Sequence, residues 1–206
     1  MTEKKQNSLS DDQGFGDFTD LSGQFLLAMP GVDSGLFNGS LIYLFEHSPT
    51  GAGGVIINRP TDIELSELLE RFEIEAPDDL EKQMVFFGGP VQAMRGFVLH
   101  PPLHDDESET DNTTDTGPEL LDISNSRDVL EDYVQGKGPK QAIVCFGYSG
   151  WGEGQLEEEL RENVWLSIPA TNHDLIFKHP IHDRYNAALA ILGIEFSSLS
   201  SQFGNA

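Results

Sequence analysis

Short apolar segments rich in β-branched and aromatic residues occur in groups along this chain, and they do not alternate one by one with helical segments. Three of them, at residues 23–30, 40–47 and 51–60, precede the first helical pattern. Runs of this composition, bounded by Gly, Pro and Asn, predict β-strands. Because a doubly wound parallel sheet requires regular alternation, the grouping predicts an α+β fold in which residues 40–47 and 51–60 form a hairpin.

The rest of the chain continues the same mixture. Further strands are predicted at residues 83–91, 95–100, 119–124, 141–148 and 163–170. Helices are predicted at 65–72, where Leu65, Leu68, Leu69 and Phe72 form one apolar stripe, and at 127–135, 155–163 and 183–192. Ser126 is the expected N-cap of the second helix. No repeat or linker is visible, so we expect a single domain over residues 21–206 that follows a disordered acidic tail, residues 1–20.

The charge of the chain limits its partners. Lys and Arg total 12 against 35 Asp and Glu, which gives a net charge of −23. Nucleic-acid affinity depends on cationic contacts to phosphate, so we expect no direct nucleic-acid binding, and anionic membranes are disfavoured for the same reason. With one cysteine, no signal-peptide pattern and no apolar run long enough to span a bilayer, the chain is predicted to be cytoplasmic.

The densest motif is GYSGWGEGQLEEELRENVWL, residues 147–166, which predicts a flexible strand-to-helix connection. Its glycines are Gly147, Gly150, Gly152 and Gly154. Their spacing matches neither the P-loop nor the dinucleotide fingerprint, and three glutamates at 157–159 would repel a phosphate, so no nucleotide cofactor is expected. Ser149 resembles the serine of a nucleophile elbow, but Trp151 occupies the position that needs a small residue. We therefore expect a serine that hydrogen-bonds to backbone.

Aromatic and polar residues of this motif allow two interpretations. Trp151 and Trp165 flank the predicted helix as core or rim aromatics, and Trp151 is also a candidate for a pocket wall beside Gly150. Gln155 and Glu158 lie at i and i+3 on one helix face. They are candidate ligand-binding groups or part of a solvated face.

The second motif joins FFGGPV to RGFVLH. Consecutive amides of Gly88 and Gly89 are able to form an anion-binding nest, with Arg95 supplying charge and His100 nearby. The alternative is a tight turn in which Arg95 pairs with one of the many carboxylates.

Metal binding has little support in the sequence. His100 and His104 have helical spacing, but Pro101 and Pro102 between them exclude a helix. The HPIHD segment at 179–183 is a second weak match, and neither follows a structural zinc pattern. The acidic insertion 103–118 is expected to bind divalent cations loosely at most, and Cys145, within a strand, is expected to be buried and inert.

Several long segments together resemble the YqgE/AlgH family. They are residues 21–47, 51–60, 86–100, 145–166 and 192–206. The resemblance implies one α+β domain built on a mixed, barrel-like sheet, with no settled activity, and one branch is named from a proposed role in regulating transcription of alginate genes. The recurrent positions correspond to Arg95, Gly96, His100, Gly147, Gly150, Trp151, Gly154, Gln155, Glu157 and Trp165. Two departures are Ser149, where relatives often carry alanine, and Asn205, where the closing motif usually has histidine.

Two functional hypotheses follow. The first is a non-enzymatic binding or regulatory protein that acts through a protein partner or a small ligand near Arg95, Trp151 and Gln155, with any effect on transcription being indirect. The second is a hydrolase in which the Gly88 and Gly89 amides and Arg95 stabilise an oxyanion while His100 acts as base. The second requires these groups to converge within about 3 Å of one reacting atom.

Overall fold

The computed structural model describes residues 18–30, 35–103, 119–171 and 173–193. Its strands are β1 (Gln24–Ala28), β2 (Leu41–Ser48), β3 (Gly51–Ile56), β4 (Pro60–Glu64), β5 (Met84–Phe87), β6 (Val91–His100), β7 (Asp122–Ser124), β8 (Ile143–Gly152) and β9 (Trp165–Pro169). Its α-helices are α1 (Leu65–Arg71), α2 (Arg127–Val134), α3 (Gln155–Arg161), α4 (Asp174–Phe177) and α5 (Arg184–Ile191). Short 3-10 turns lie at Gly35–Phe37 and Ile181–Asp183.

The strands form one mixed sheet in the order β4-β5-β8-β3-β2-β1-β9, with β6 between β8 and β7 as a branch. Neighbours are antiparallel except β5 and β8, which run parallel, and β2 and β3 form the predicted hairpin. The α+β prediction is confirmed. The barrel-like expectation is wrong, because β4 and β9 end the path without pairing with each other in the described part of the chain, which leaves the sheet open.

Strand β8 explains why the sheet branches. Its first half pairs with β5 on one side and β6 on the other, whereas its last four residues pair with β3. Gly147 lies at the change, with a left-handed φ of 66° that glycine adopts without strain. A Cβ at Gly147 would come 2.2 Å from the Gly89 carbonyl oxygen. These glycines therefore let two backbones approach closely.

This arrangement corrects the predicted strand-to-helix connection. Gly147, Gly150 and Gly152 all lie within β8, and only Glu153 and Gly154 separate β8 from α3. The apolar run at 141–148 identified the strand, but its glycine-rich continuation was mistaken for a loop because glycine is usually depleted in strands. Here the absence of side chains is what allows β3 and the Gly88–Gly89 pair to pack on β8.

Helices cover the sheet over three buried clusters. Helices α4 and α5 pack on a cluster around Phe25, Tyr43 and Leu99, and α1 and α2 share a second cluster with Val85 and Val98. The third cluster places Leu156 of α3 against Trp151 and Trp165. Cys145 is fully buried, as predicted, and its thiol contacts the Gly147 carbonyl.

Local signals in the sequence were mostly accurate at the helices. Ser126 caps α2, since its hydroxyl oxygen accepts the Asp128 amide at 3.2 Å. The stripe of α1 ends one residue early, because Phe72 follows the helix and is 45% exposed. Among the described residues, none of the helices is long and apolar enough to cross a membrane. The predicted tail up to residue 17, the insertion from residue 104 and the closing motif lie outside the described residues.

Candidate functional site

An open cleft of about 590 Å³ lies where the end of the β2–β3 hairpin faces β6, β7 and β8. We call it the aromatic cleft because four aromatic residues line it, three of which contact one another and form its aromatic side. Its lining residues are Phe45, Glu46, Ser48, Thr50, Gly51, Ala52, Gly53, Gln92, Phe97, Ile123, Ser124, Asn125, Tyr148 and Trp151. Most of the rim is polar but uncharged, with Glu46 as the carboxylate.

Tyr148 of β8 is the centre of the aromatic side. Its ring meets Phe45 edge-to-face at 6.2 Å between centroids, and Phe97 at 5.5 Å. A Cβ at Gly53 would lie 2.6 Å from the Phe45 ring, so glycine at this position makes room for that ring. Such perpendicular packing holds the three rings in fixed orientations. The aromatic side is therefore a preformed surface.

A second cleft, of about 250 Å³, lies beside the first between β6, α1 and α2. We call it the apolar cleft. Its lining residues are Leu68, Phe72, Ile74, Met94, Arg95, Gly96, Phe97, Val98, Asn125, Ser126, Arg127, Leu130 and Val144. Phe97 and Asn125 line both clefts, so the two hollows adjoin.

The segment 92–95 of β6 lies between the clefts and projects into solvent. The register of β6 against β8 shifts between Val91 and Gly96, and Gln92 adopts a left-handed φ of 50°, which is uncommon for a residue with a side chain. Met94 is 96% exposed. The shift therefore lifts these residues out of the sheet and presents Met94 and Arg95 at the surface.

Arg95 has few partners in the described structure. Its Nη1 donates to Gln92 Oε1 at 3.3 Å, and no carboxylate of the described residues lies within ion-pair distance of it. Arg95 therefore does not pair with a carboxylate of the described residues, in contrast to the second interpretation of this motif. In contrast, Arg127 across the apolar cleft is bound by Glu131 at 2.6 Å and by the Glu73 carbonyl.

The predicted partners of Arg95 in α3 lie elsewhere. Gln155 Oε1 accepts the Gly152 backbone N–H at 3.0 Å, and Gln155 Nε2 donates to Glu159 at 2.9 Å. Glu158 binds Arg161 at the surface. Neither side chain lines a cleft with Arg95. Gly150 lies in β8 opposite Gly53 of β3, and a Cβ there would make ordinary contact with Val91 and Tyr148.

Glu159 is the residue that the sequence interpretation missed. Its Oε2 accepts the indole N–H of Trp151 at 2.8 Å and that of Trp165 at 2.6 Å, while Oε1 accepts Gln155. The two indole rings are perpendicular and 5.8 Å apart. The Trp151 ring, which lines the aromatic cleft, is therefore held in place by Glu159 and Trp165. The i, i+4 spacing of Gln155 and Glu159 was a usable signal, although the prediction from the sequence placed Gln155 with Glu158 at i, i+3.

The groups required by the hydrolase hypothesis do not converge. His100 is 3% exposed, its Nδ1–H donates to the Pro101 carbonyl at 2.7 Å, and its Nε2 is buried without a partner in the described structure. Arg95 is exposed five residues earlier in the same strand, about 17 Å away at the usual rise per residue. The Gly88 amide donates to the Phe146 carbonyl at 2.8 Å, so it is not available for an oxyanion.

The remaining candidates from the sequence are Ser149, which has a structural role, and the histidines considered as metal ligands. Ser149 is fully buried and donates its hydroxyl to the Gly88 carbonyl at 3.2 Å, as expected of a serine that bonds backbone, although it lies in a strand. Among the described residues, no three His, Cys, Asp or Glu side chains are grouped to hold a metal. His104 lies outside the described residues.

Comparison with known proteins places the chain in a family. The model of the AlgH-like family matches residues 25–197. The chain belongs to the AlgH-like family. It is 46% identical over 187 residues to a UPF0301 protein of Thiobacillus denitrificans, covering 90% of this chain and 97% of that protein. A UPF0301 protein of Bordetella pertussis is 47% identical over 189 residues, covering 91% of this chain and 90% of the relative.

Solved structures agree with this membership. The solution structure of the AlgH protein from Pseudomonas aeruginosa matches with a TM-score of 0.70 and 38% identity, covering 98% of this chain and all of the other. A crystal structure of a Corynebacterium diphtheriae protein matches with a TM-score of 0.63 at 18% identity, covering 85% and 89%, which shows the shared fold alone. The resemblance to the YqgE/AlgH family inferred from the motifs is confirmed.

Proposed function

We propose that this AlgH-like protein is a binding protein that recognises a segment of a protein partner across the aromatic and apolar clefts. The observation that carries the proposal is the segment 92–95, which presents an almost fully exposed Met94 and an Arg95 without a described carboxylate partner between two adjoining hollows. An apolar side chain of the partner would enter the apolar cleft, and a carboxylate beside it would pair with Arg95.

The chemistry of this surface supports a protein partner. Methionine and arginine are both enriched at protein interfaces, because one adapts its shape and the other makes several directed hydrogen bonds. Phe72 also exposes 45% of its surface at the edge of the apolar cleft. Adjoining apolar groups exposed to water are typical of interaction sites.

Charge supports an indirect role in any regulation. The net charge of −23 opposes close approach to a phosphate backbone, and salt-dependent cationic contacts supply most non-specific DNA affinity. An effect on transcription would therefore pass through the bound protein partner. No nucleic-acid contact by this chain is part of the proposal.

The test is site-directed photo-crosslinking followed by affinity measurement. A benzophenone amino acid at Met94 is expected to give a discrete adduct in extract of the native organism, whereas the same group at Ile191, which is 51% exposed and lines neither cleft, is not. Mass spectrometry identifies the adduct. The purified partner should then bind with a Kd at least about tenfold weaker in Arg95→Glu, as expected of a central interface arginine.

Matched variants separate this site from non-specific charge effects. Arg161→Glu changes the same charge on α3 and should leave the Kd unchanged, since Arg161 pairs with Glu158 away from both clefts. Trp151→Ala is a poor probe because it removes a buried ring bound to Glu159. Equal crosslinking at both positions, or an unaltered Kd in Arg95→Glu, would refute the proposal. If no adduct forms at Met94 and a metabolite binds in a manner that requires Arg95, the ligand of this site is a small molecule and not a protein.

A further inference from the structure

Arg184, the first residue of α5, is a buried cation with unusual surroundings. It is 5% exposed, and its Nε donates to the His179 carbonyl at 3.1 Å while Nη1 donates to the Ile57 carbonyl. The guanidinium carbon lies 5.4 Å from the centre of the Phe86 ring. Within the described ranges no carboxylate pairs with Arg184, although buried charges in proteins are generally paired with an opposite charge.

These two hydrogen bonds leave part of the Arg184 guanidinium available. Arginine carries five N–H donors in a rigid fork, and the backbone carbonyls of Ile57 and His179 use two of them. Nη2 has no acceptor among the described residues. Arg184 is also one of the residues that line a cavity.

That cavity has a volume of about 430 Å³, within the range of small-molecule sites. It is lined by Glu81, Lys82, Gln83, Met84, Phe86, Tyr133, Lys140, Gln141, Ala142, Ile143, Val144, Ile176, Phe177, Ile181 and Arg184. Three cations and one carboxylate, Glu81, thus meet there in a chain with only 12 basic residues. Lys82 already binds Glu64 at 2.6 Å, whereas Lys140 has no ion pair with the described carboxylates.

The cavity combines this charge with an apolar wall. Phe86, Ile143 and Ile176 of the core form part of its lining, and Phe177 and Ile181 close it from the α4–α5 side. Burial lowers the pKa of Arg184 to about 10, so the guanidinium remains charged at neutral pH. The negative charge of the surrounding surface is screened beyond about 8 Å at physiological salt. Local attraction of an anion therefore outweighs distant repulsion.

We propose that this cavity binds a small organic anion that has a carboxylate or phosphate head and an apolar body. The head lies against the free edge of Arg184, with Lys140 at the mouth, and the body lies along Phe86, Ile176 and Phe177. The site is separate from the two clefts beside Arg95, because the cavity shares one lining residue, Val144, with the apolar cleft and none with the aromatic cleft.

Isothermal titration calorimetry with matched probes tests the two parts of this ligand. Octanoate and octyl phosphate carry both head and body, 1-octanol carries the body alone, and acetate and inorganic phosphate carry the head alone. Octanoate or octyl phosphate is expected to bind with a submillimolar Kd, at least tenfold more tightly than 1-octanol or either head group. Preference for one of the two octyl compounds identifies the head as carboxylate or phosphate.

Variants locate the binding. Arg184→Met keeps an apolar chain of similar length and should abolish octanoate binding, with circular dichroism as the control for folding. Lys140→Gln alters an exposed side chain and should weaken binding about three- to fivefold, in line with a solvent-screened pair. Lys137, three residues before Lys140 in sequence, does not line the cavity, and Lys137→Gln should have no effect.

Three results would overturn the proposal. They are equal affinity for 1-octanol and octanoate, absence of binding by both octyl anions at millimolar concentration, and octanoate binding that is unchanged in Lys140→Gln. If Arg184→Met does not fold, the Lys140→Gln and Lys137→Gln pair and the comparison of octanoate with 1-octanol still decide the outcome.

Discussion

We expect the stability of the fold to depend strongly on the carboxylate of Glu159. It accepts the indole N–H groups of Trp151 and Trp165 and the amide of Gln155, and both tryptophans are less than 8% exposed. We expect Glu159→Ala to destabilise the fold strongly. Few other described side chains hold two buried donors on one atom.

The magnitude follows from the groups left without an acceptor. Each buried N–H that loses its partner costs about 1–3 kcal/mol, so two indoles give a loss of about 3–5 kcal/mol after partial relaxation toward water. For a chain of this size that corresponds to a fall in Tm of roughly 6–20 °C. Glu159→Gln keeps an acceptor oxygen for the indoles but places an amide N–H₂ against Gln155. It should cost about 1 kcal/mol.

Urea unfolding followed by tryptophan fluorescence is the appropriate measurement. The chain has two tryptophans, and both contact Glu159, so their fluorescence reports directly on this cluster. Glu158→Ala is the matched control, because Glu158 is the neighbouring exposed residue and its ion pair within the described ranges is with exposed Arg161. Its loss should be below about 0.5 kcal/mol. If Glu159→Ala and Glu158→Ala unfold at the same urea concentration, the assigned role of Glu159 is wrong.

Two further predictions concern the junction in β8. Gly147→Ala should lower the free energy of unfolding in urea by more than about 3 kcal/mol, because the new Cβ would lie 2.2 Å from the Gly89 carbonyl oxygen. Gly154 has a similar φ but open space around it, so Gly154→Ala should cost only about 1 kcal/mol of backbone strain. An equal loss in both would exclude the backbone contact as the cause. Burial raises the pKa of Cys145 to about 12, above that of the unfolded thiol. The stabilisation that the neutral Cys145 thiol contributes is therefore complete below about pH 9 and falls by about 1.4 kcal/mol per pH unit from pH 9 toward 12. Urea denaturation of Cys145→Ala over the same pH range should lack this slope.

The elements were largely predictable because their signals are local. Apolar runs identified most of the strands, although β4 was not predicted, and the stripe of Leu65, Leu68 and Leu69 with the Ser126 cap identified two helices. The extent of β8 was not predictable in this way. Whether Gly147, Gly150 and Gly152 form a loop or a strand depends on β3 and the Gly88–Gly89 pair, which approach from distant parts of the chain.

The candidate site was predicted in part. Arg95 and Trp151 were both identified, but they line different clefts, and Gln155 and Glu158 line neither. The aromatic cleft also depends on Phe45, Phe97 and Tyr148, which come from three strands and share no sequence motif. Nothing in their spacing along the chain indicates that the rings meet. The same applies to Arg184, which appears in the sequence as an ordinary residue near a helix start.

The sequence alone determined the α+β class, the position of most strands and helices, and a net charge that disfavours direct nucleic-acid binding. These properties depend on composition and on periodicity within one segment. Only the tertiary structure decided that the sheet is open and branched at β8, that Glu159 holds both tryptophans, and that Arg184 reaches a cavity without a described carboxylate partner. These depend on backbone approach and side-chain burial between segments far apart in sequence, which no local pattern records.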